Sequence, residues 1–295
     1  MRWAEVEKTT RNSVKRNNYE RSDLIREVIE LMRGMLTRHR QLIVQMIKRE
    51  VLGRYRGSVL GLAWSFFNPL LLLIVYTFVF SVVFKAKWAG TAPTQSHGDF
   101  AVILFAGLIM NNLFAECLNR APSLVLSNVS YVKKVVFPLE TLAVIAFGSA
   151  TFHLLVSFVV LLIAQMIFLG TIPWTIVYLP MVLVPLALFS LGISWFLAGL
   201  GVYIRDTAQA VSLLTIVLTF VSPIFYPLSA IPERMQIYVK LNPMTFVVEE
   251  TRNVLIFGKS LNWSLWSVYT AIGFVVFVLG IAWFQKVRKG FADVV

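Results

Sequence analysis

The stretch KREVLGRYRGSVLGLAWSFFNPLLLLIVYTFVFSVVF, residues 48–84, decides the fold. It opens with Lys48, Arg49, Arg54 and Arg56 and then carries no charged side chain from Gly57 to Phe84. A bilayer core about 30 Å thick is crossed by roughly 20 apolar residues in a helix. Residues 58–84 therefore read as a transmembrane helix entered from a basic surface.

The rest of the chain agrees. Its 295 residues are 58% hydrophobic and 14% charged, with a mean hydropathy of +0.74. Soluble domains hold roughly 45–50% apolar residues, so the composition points to a membrane protein. One cysteine, Cys117, leaves no internal disulfide. The first 56 residues are polar and charged, without the short apolar core of a cleavable signal. Five more segments have the length and character of spans, at about 100–118, 141–169, 176–202, 207–227 and 263–284. The second of them is interrupted by Asn111, Asn112 and Glu116, and Pro180 and Pro185 predict a kink or break in the fourth.

Charge orients the six spans. Fourteen of the 27 Lys and Arg residues precede residue 57. With the N-terminus inside, the cytoplasmic connections hold 21 basic residues and the external ones six. Both termini are then cytoplasmic, and the chain divides into a cytoplasmic N-terminal region, 1–56, and a transmembrane domain, 57–295. In this setting the basic arm reads as a surface for anionic lipid, at about 1 kcal/mol per basic residue, rather than as a nucleic-acid contact.

Two segments neither span nor read as plain loops. Leu24, Val28, Leu31, Met32 and Met35 recur at helical spacing over 23–36, and Val44, Ile47, Val51 and Tyr55 do so further on, opposite Arg38, Gln41, Gln45 and Lys48. A basic amphipathic helix just before a span reads as lying in the membrane interface. For 23–36 a solvated helix reads equally well. The other segment, 228–262, has Pro232 and Pro243 where short helices can begin. Its stretches 233–241 and 244–257 are too short to cross and too apolar for an external loop, so a re-entrant hairpin in the outer leaflet is expected.

Catalytic and metal chemistry find little support. Gly258-Lys259-Ser260 has the ending of a P-loop, but a P-loop needs a glycine where Asn253 stands and a strand where VVEETRNVLIF reads as helix. His39, His97 and His153 fall in three compartments, and His153 reads as a hydrogen-bonded packing histidine rather than a proton relay. Glu116 is costly at membrane depth. It faces a functional partner or is paired with Arg120 four residues on.

Read from Lys48, the opening run resembles the entry to the first span of ABC-2 type permeases, the transmembrane subunits of ABC transporters that export bacterial polysaccharides. The likeness continues in order with GLIMNNLFAECLNR (107–120), LVLSNVSYVKKVVFPLE (124–140), YIRDTAQ (203–209), VSPIFYPLSAIPE (221–233), LNPMTFVVEETRNVLIFG (241–258) and KVRKGFADVV (286–295). It covers roughly residues 36–295.

The resemblance implies an all-α integral membrane protein that works as half of a transporter. A second copy of the chain would complete the channel, and two copies of a separate ATPase subunit would bind ATP and Mg, with no cofactor in this chain. The implied location is the bacterial cytoplasmic membrane. The cargo would be a polyprenyl-diphosphate-linked polysaccharide, O-antigen first, teichoic acid or capsule next. The family's coupling elements fall at about 38–56 and 119–138, with Lys48 and Arg49 in the first and Asn128, Tyr131, Lys133, Lys134, Phe137 and Pro138 in the second.

Arg54, Tyr55 and Arg56 stand at the entrance to the inner leaflet, where guanidinium forks suit a diphosphate. Positive-inside anchoring accounts for them as well. Phe66, Phe67, Tyr76, Phe78, Phe80 and Phe84, with Phe220, Phe225 and Tyr226, either line a sugar path or pack helices. A membrane-embedded glycan or acyl transferase would need acids or histidines clustered at one face, and the sequence has none. A small-molecule exporter of the same fold is the other rival.

Overall fold

A computed structural model describes residues 34, 37–85, 88, 98–133 and 137–294. The amphipathic stretch 23–36 (Gly34 apart), His97 and Lys134 lie outside the described residues. The architecture is all-α. Helix α1 (Arg40–Arg54) leads into α2 (Trp64–Tyr76), whose last turns widen to a π-helix over Thr77–Val83. Then come α3 (Asp99–Arg120), the short α4 (Val129–Lys133), α5 (Thr141–Phe168) and α6 (Leu179–Tyr203). Helices α7 (Thr207–Val221), α8 (Glu233–Lys240), α9 (Pro243–Leu255), α10 (Trp263–Val287) and α11 (Phe291–Val294) complete the chain.

Among the described residues five helical stretches are long and apolar enough to cross a membrane, and α7 is a shorter apolar helix. They follow the order of the six expected spans, and the protein is a multi-pass membrane protein. The span with the most polar interruptions is its centre. In α3, 83% of the apolar stretch is buried, against 17–39% in the other four. Those four turn much of their apolar surface outward, as lipid-facing helices do. The polar residues of α3 are used inside the bundle: Asn111 Nδ2 donates to Thr219 Oγ1 at 3.0 Å, and Asn119 Oδ1 accepts from Thr215 Oγ1 at 3.0 Å. Two α7 threonines thus hydrogen-bond α7 to α3.

The expected bounds of the fifth span and the expected break in the fourth are both corrected at prolines. The fifth span does not run helically to 227. It stops at Val221, because Ser222 is extended (φ −67°, ψ 144°) ahead of Pro223, whose ring disfavours a helical residue before it. Fifteen residues make α7 only about 22 Å long at 1.5 Å per residue. The fourth span, by contrast, is not broken. Pro180 sits in the first turn of α6, where an amide N–H has no helical partner anyway. Pro185 lies inside and frees the carbonyl of Met181, four residues back. Trp266 Nε1 from α10 donates to that carbonyl at 2.7 Å, so the helix continues. Trp266→Phe keeps the ring and removes the donor. We expect a loss of about 1–3 kcal/mol for the orphaned carbonyl, read as a lower thermal midpoint in detergent, with an unchanged midpoint refuting the assignment.

Glycine brings α6 and α10 into backbone contact. A Cβ on Gly280 would lie 2.0 Å from the Gly192 carbonyl oxygen, and one on Gly192 would lie 2.6 Å from that of Val276. Lipid tails give apolar helices no hydrophobic reason to associate, so such close approach is a principal source of cohesion.

Candidate functional site

The residues that the sequence singles out at the basic end of the bundle converge on α1. This helix seats on α5 through Ile43, Ile47 and Val51, spaced four apart on one face. Gly148 of α5 leaves the notch, for a Cβ there would come within 2.3 Å of Ile47 Cδ1. The expected apolar face is therefore shifted. Ile43 is buried while Val44 is 58% exposed, because the helix packs on protein along this edge rather than lying wholly on lipid.

Arg49 Nη2 donates to the Tyr131 hydroxyl at 2.8 Å, across 82 residues of sequence. Tyr131 stacks on Phe137, ring centroids 4.6 Å apart. Asn128 Nδ2 folds back to the Leu124 carbonyl at 2.8 Å. The Pro138 carbonyl accepts both the N–H and the hydroxyl of Thr141, at 2.9 and 2.7 Å, closing the first turn of α5. Lys48 and Lys133 are exposed. The two segments that the resemblance marks for coupling thus touch directly, around a cavity of about 220 Å³ lined by Arg49, Glu50, Arg120, Ser127 and Asn128 among others.

Behind this contact lies a chain of ions. Glu50 of α1 pairs with Arg120 Nη2, and Arg120 Nη1 stands 3.6 Å from Glu116 Oε1. Glu116 in turn pairs with Arg54 Nη2, closer than with Arg120. Two carboxylates and two guanidinium groups balance. Arg54 Nη1 lies 2.9 Å from His153 Nδ1. A guanidinium only donates, so Nδ1 is an acceptor and the imidazole proton sits on Nε2, 3.3 Å from the Tyr55 hydroxyl. The 3.3 Å approach of Nδ1 to Glu116 Oε2 is then a contact between two acceptors. Burial raises the Tyr55 phenol above its ordinary pKa, so it stays protonated in this network. Glu116 is paired on both sides, and His153 is a hydrogen-bonded member of the same network. Arg56 is exposed and has no ion pair among the described residues.

The aromatic candidates divide. Phe66 and Phe67 are exposed, edge to face at 6.2 Å. Phe78 and Phe84 are exposed as well. Phe80 stacks between Phe100 at 5.6 Å and Phe225 at 6.1 Å, and Phe225 meets Phe220 at 5.4 Å. Tyr76 packs on Phe80 at 6.3 Å. The Tyr226 hydroxyl donates to the last carbonyls of α7, 3.0 Å from those of Phe220 and Val221. Phe80 and Phe225 therefore fasten the end of α7 to α2, while Tyr226 closes back on α7 itself.

At the other end of the bundle, α8 and α9 begin after Pro232 and at Pro243. The Gly-Lys-Ser motif follows a helix, α9, not a strand. Gly258 turns the chain at φ +63°, and Asn262 caps α10 by accepting from Leu265 N at 3.1 Å. Lys259 is exposed beside the Phe257 ring. No group of three metal-ligating side chains gathers among the described residues.

Sequence reasoning missed Arg252. Counted as a loop charge, it is 1% exposed. Its signal was the helical period, which puts it on one face with Val248 and Leu255, both buried.

A model of the ABC-2 type transporter family matches residues 41–256. An O-antigen export system permease protein of Klebsiella pneumoniae is 26% identical over 86% of this chain and 94% of its own length. One from Myxococcus xanthus is 26% identical over 90% of this chain and 99% of its own. A polysialic acid transport protein of Escherichia coli is 26% identical over 71% of this chain and 79% of its own.

Proposed function

The chain belongs to the ABC-2 type transporter family, and from that premise we propose that it is the permease of an ATP-driven exporter of lipid-linked polysaccharide, with O-antigen as the cargo. A single observation carries the cargo: relatives named as O-antigen export permeases align over nearly their whole length. Capsule is the second reading, favoured by the polysialic acid transport relative.

In this reading two copies pair in the bacterial cytoplasmic membrane with both termini inside. Two ATPase subunits, which hold ATP and Mg, dock where α1 meets the 121–138 connection. The Arg49–Tyr131 bond and the Glu50–Arg120–Glu116–Arg54 chain support this, since they join the docking segments to each other and to α3, and Arg54 reaches α5 through His153. Closure of the ATPase pair would then move the ends of the central helices rather than a loose loop. Arg56 is the guanidinium free to meet a polyprenyl diphosphate at the inner leaflet, while Arg54 is held by Glu116. Exposed rings on α2 offer faces along which sugar C–H groups slide.

The test is co-purification with a partner ABC ATPase subunit, followed by ATP hydrolysis assays in nanodiscs. Long polyprenyl-diphosphate-linked glycan is expected to stimulate hydrolysis several-fold, and hydrophobic drugs are not. Stimulation by drugs alone would overturn the polysaccharide reading, and preference for an acidic capsular glycan would move it to the second.

A further inference from the structure

Arg252 gathers contacts from four directions. Its Nε donates to the Ile103 carbonyl of α3 at 3.0 Å. Nη1 donates to the Pro223 carbonyl at 2.6 Å and to Glu249 at 3.2 Å, and Nη2 donates to the Ile224 carbonyl at 2.6 Å. The guanidinium carbon lies 4.4 Å from the centre of the Trp88 ring, a cation–π distance. Room for the group comes from Gly107 of α3, where a Cβ would stand 2.9 Å from Arg252 Nη2.

Pro223 and Ile224 are the residues where α7 has ended and the backbone has left the helix. Inside a membrane protein, non-helical carbonyls must be satisfied by protein or water. Arg252 satisfies both at once and ties them to α3. The helix that carries it, α9, is buried along most of its length, whereas α8 has no buried residue. The hairpin is thus a fixed helix and an outer one, and the fixed helix is tied to the broken end of α7 by Arg252 and, at its start, by Asn242 Nδ2, which donates to Ser222 Oγ at 2.9 Å.

We infer that Arg252 is the latch of the exit: its guanidinium holds α9 shut against the end of α7, and release of the Pro223 and Ile224 carbonyls is the step that opens the hairpin. Because one rigid guanidinium fork holds both carbonyls, the hairpin has a defined closed state rather than a continuum of positions. Glu249, partly exposed beside Arg252, is the anion that keeps the guanidinium paired once the carbonyls are released. The inference rests on the exporter reading in placing the hairpin at the outer face.

The experiment uses the full chain with its ATPase subunit. Cys117→Ala removes the native thiol, and Val254→Cys places a reporter at a fully buried position of α9. Labelling by a membrane-impermeant maleimide is followed in intact cells and in inverted vesicles. Arg252→Met is expected to raise the labelling rate by about tenfold or more, as loss of charge-assisted hydrogen bonds would. Arg252→Lys, with a point charge in place of the fork, falls between. Gly107→Ala crowds both the guanidinium, at 2.9 Å, and Val248 Cγ1 of the same helix, at 3.0 Å, without removing either, and raises labelling too. It decides the matter if Arg252→Met fails to accumulate. Unchanged labelling in Gly107→Ala and Arg252→Lys overturns the latch. A rise confined to inverted vesicles supports the latch and overturns the external placement, which separates the two ideas.

Discussion

Gly280→Ala, the smallest substitution available, is expected to lower accumulation of the protein in membranes several-fold, and Gly280→Leu to abolish it. In an ordinary helix the exchange of Gly for Ala stabilises by about 0.5–1 kcal/mol. Here the sign reverses. The new Cβ would meet the Gly192 oxygen at 2.0 Å, its carbonyl carbon at 2.6 Å and its Cα at 2.8 Å. None of these belongs to a side chain that can rotate away, so α6 and α10 must separate along their length. Overpacking of this kind costs about 1–3 kcal/mol and sometimes more, in a medium where contact between the helices is most of what joins them. The indole of Trp266 would also withdraw from the Met181 carbonyl. Gly53→Ala is the control, since a Cβ at Gly53 meets nothing within 4 Å. Membrane fractions assayed by quantitative immunoblot read the outcome. Wild-type amounts of Gly280→Ala would show that the α6–α10 contact is not what holds these spans.

How far the sequence carries depends on whether a residue's partner is near it in the chain. The charge gap between Arg56 and Lys85 is local, and it announces α2 unaided. Pro232 and Pro243 set their own backbones and mark the starts of α8 and α9. The order of the short motifs was enough to indicate the family that the residue 41–256 match establishes. Partners distant in sequence defeated the reading elsewhere. Asn111 and Glu116 made α3 look like the poorest span because Thr219 and Arg54 lie 108 and 62 residues away. Pro185 read as a breaker because the indole that repairs it stands on another helix. Val44 read as part of the apolar face because helical period alone does not know that Gly148 opens a notch one residue round it. Arg252 is only one of the basic residues counted in the external segment 228–262, because its acceptors come from three separate stretches of chain.

The basic end of the bundle has the same character. Its contacts between α1, α3 and α4 are few, charged and long-range, and this makes them separable by mutation. The Arg49–Tyr131 bond joins the two segments proposed to meet the ATPase. The ion chain behind it carries no net charge, so a single neutralisation unbalances it while a paired one does not.

That asymmetry sets the second large effect. Arg54→Gln leaves Glu116 facing Arg120 at 3.6 Å and an imidazole whose Nδ1 lone pair has lost its donor. A partly buried carboxylate without its nearest cation is expected to cost about 1–3 kcal/mol, seen as a lower thermal midpoint and at least a tenfold loss of ATP-driven export. Glu116→Gln should cost about as much, since Arg54 then loses its anion. Combined, the two should cost far less than their sum, with a coupling energy in the 0.5–3 kcal/mol range of contacting pairs. Strict additivity would mean that the pair contributes nothing as a pair. Arg56→Gln, with no ion pair to break, should leave the midpoint unchanged. Under the proposed exporter reading it should also raise the concentration of polyprenyl-diphosphate glycan needed to stimulate the ATPase. Glu116→Gln should act in the opposite direction, because it releases the Arg54 fork for phosphate oxygens. A carboxylate that is only a structural partner would move the midpoint and leave that concentration where it was.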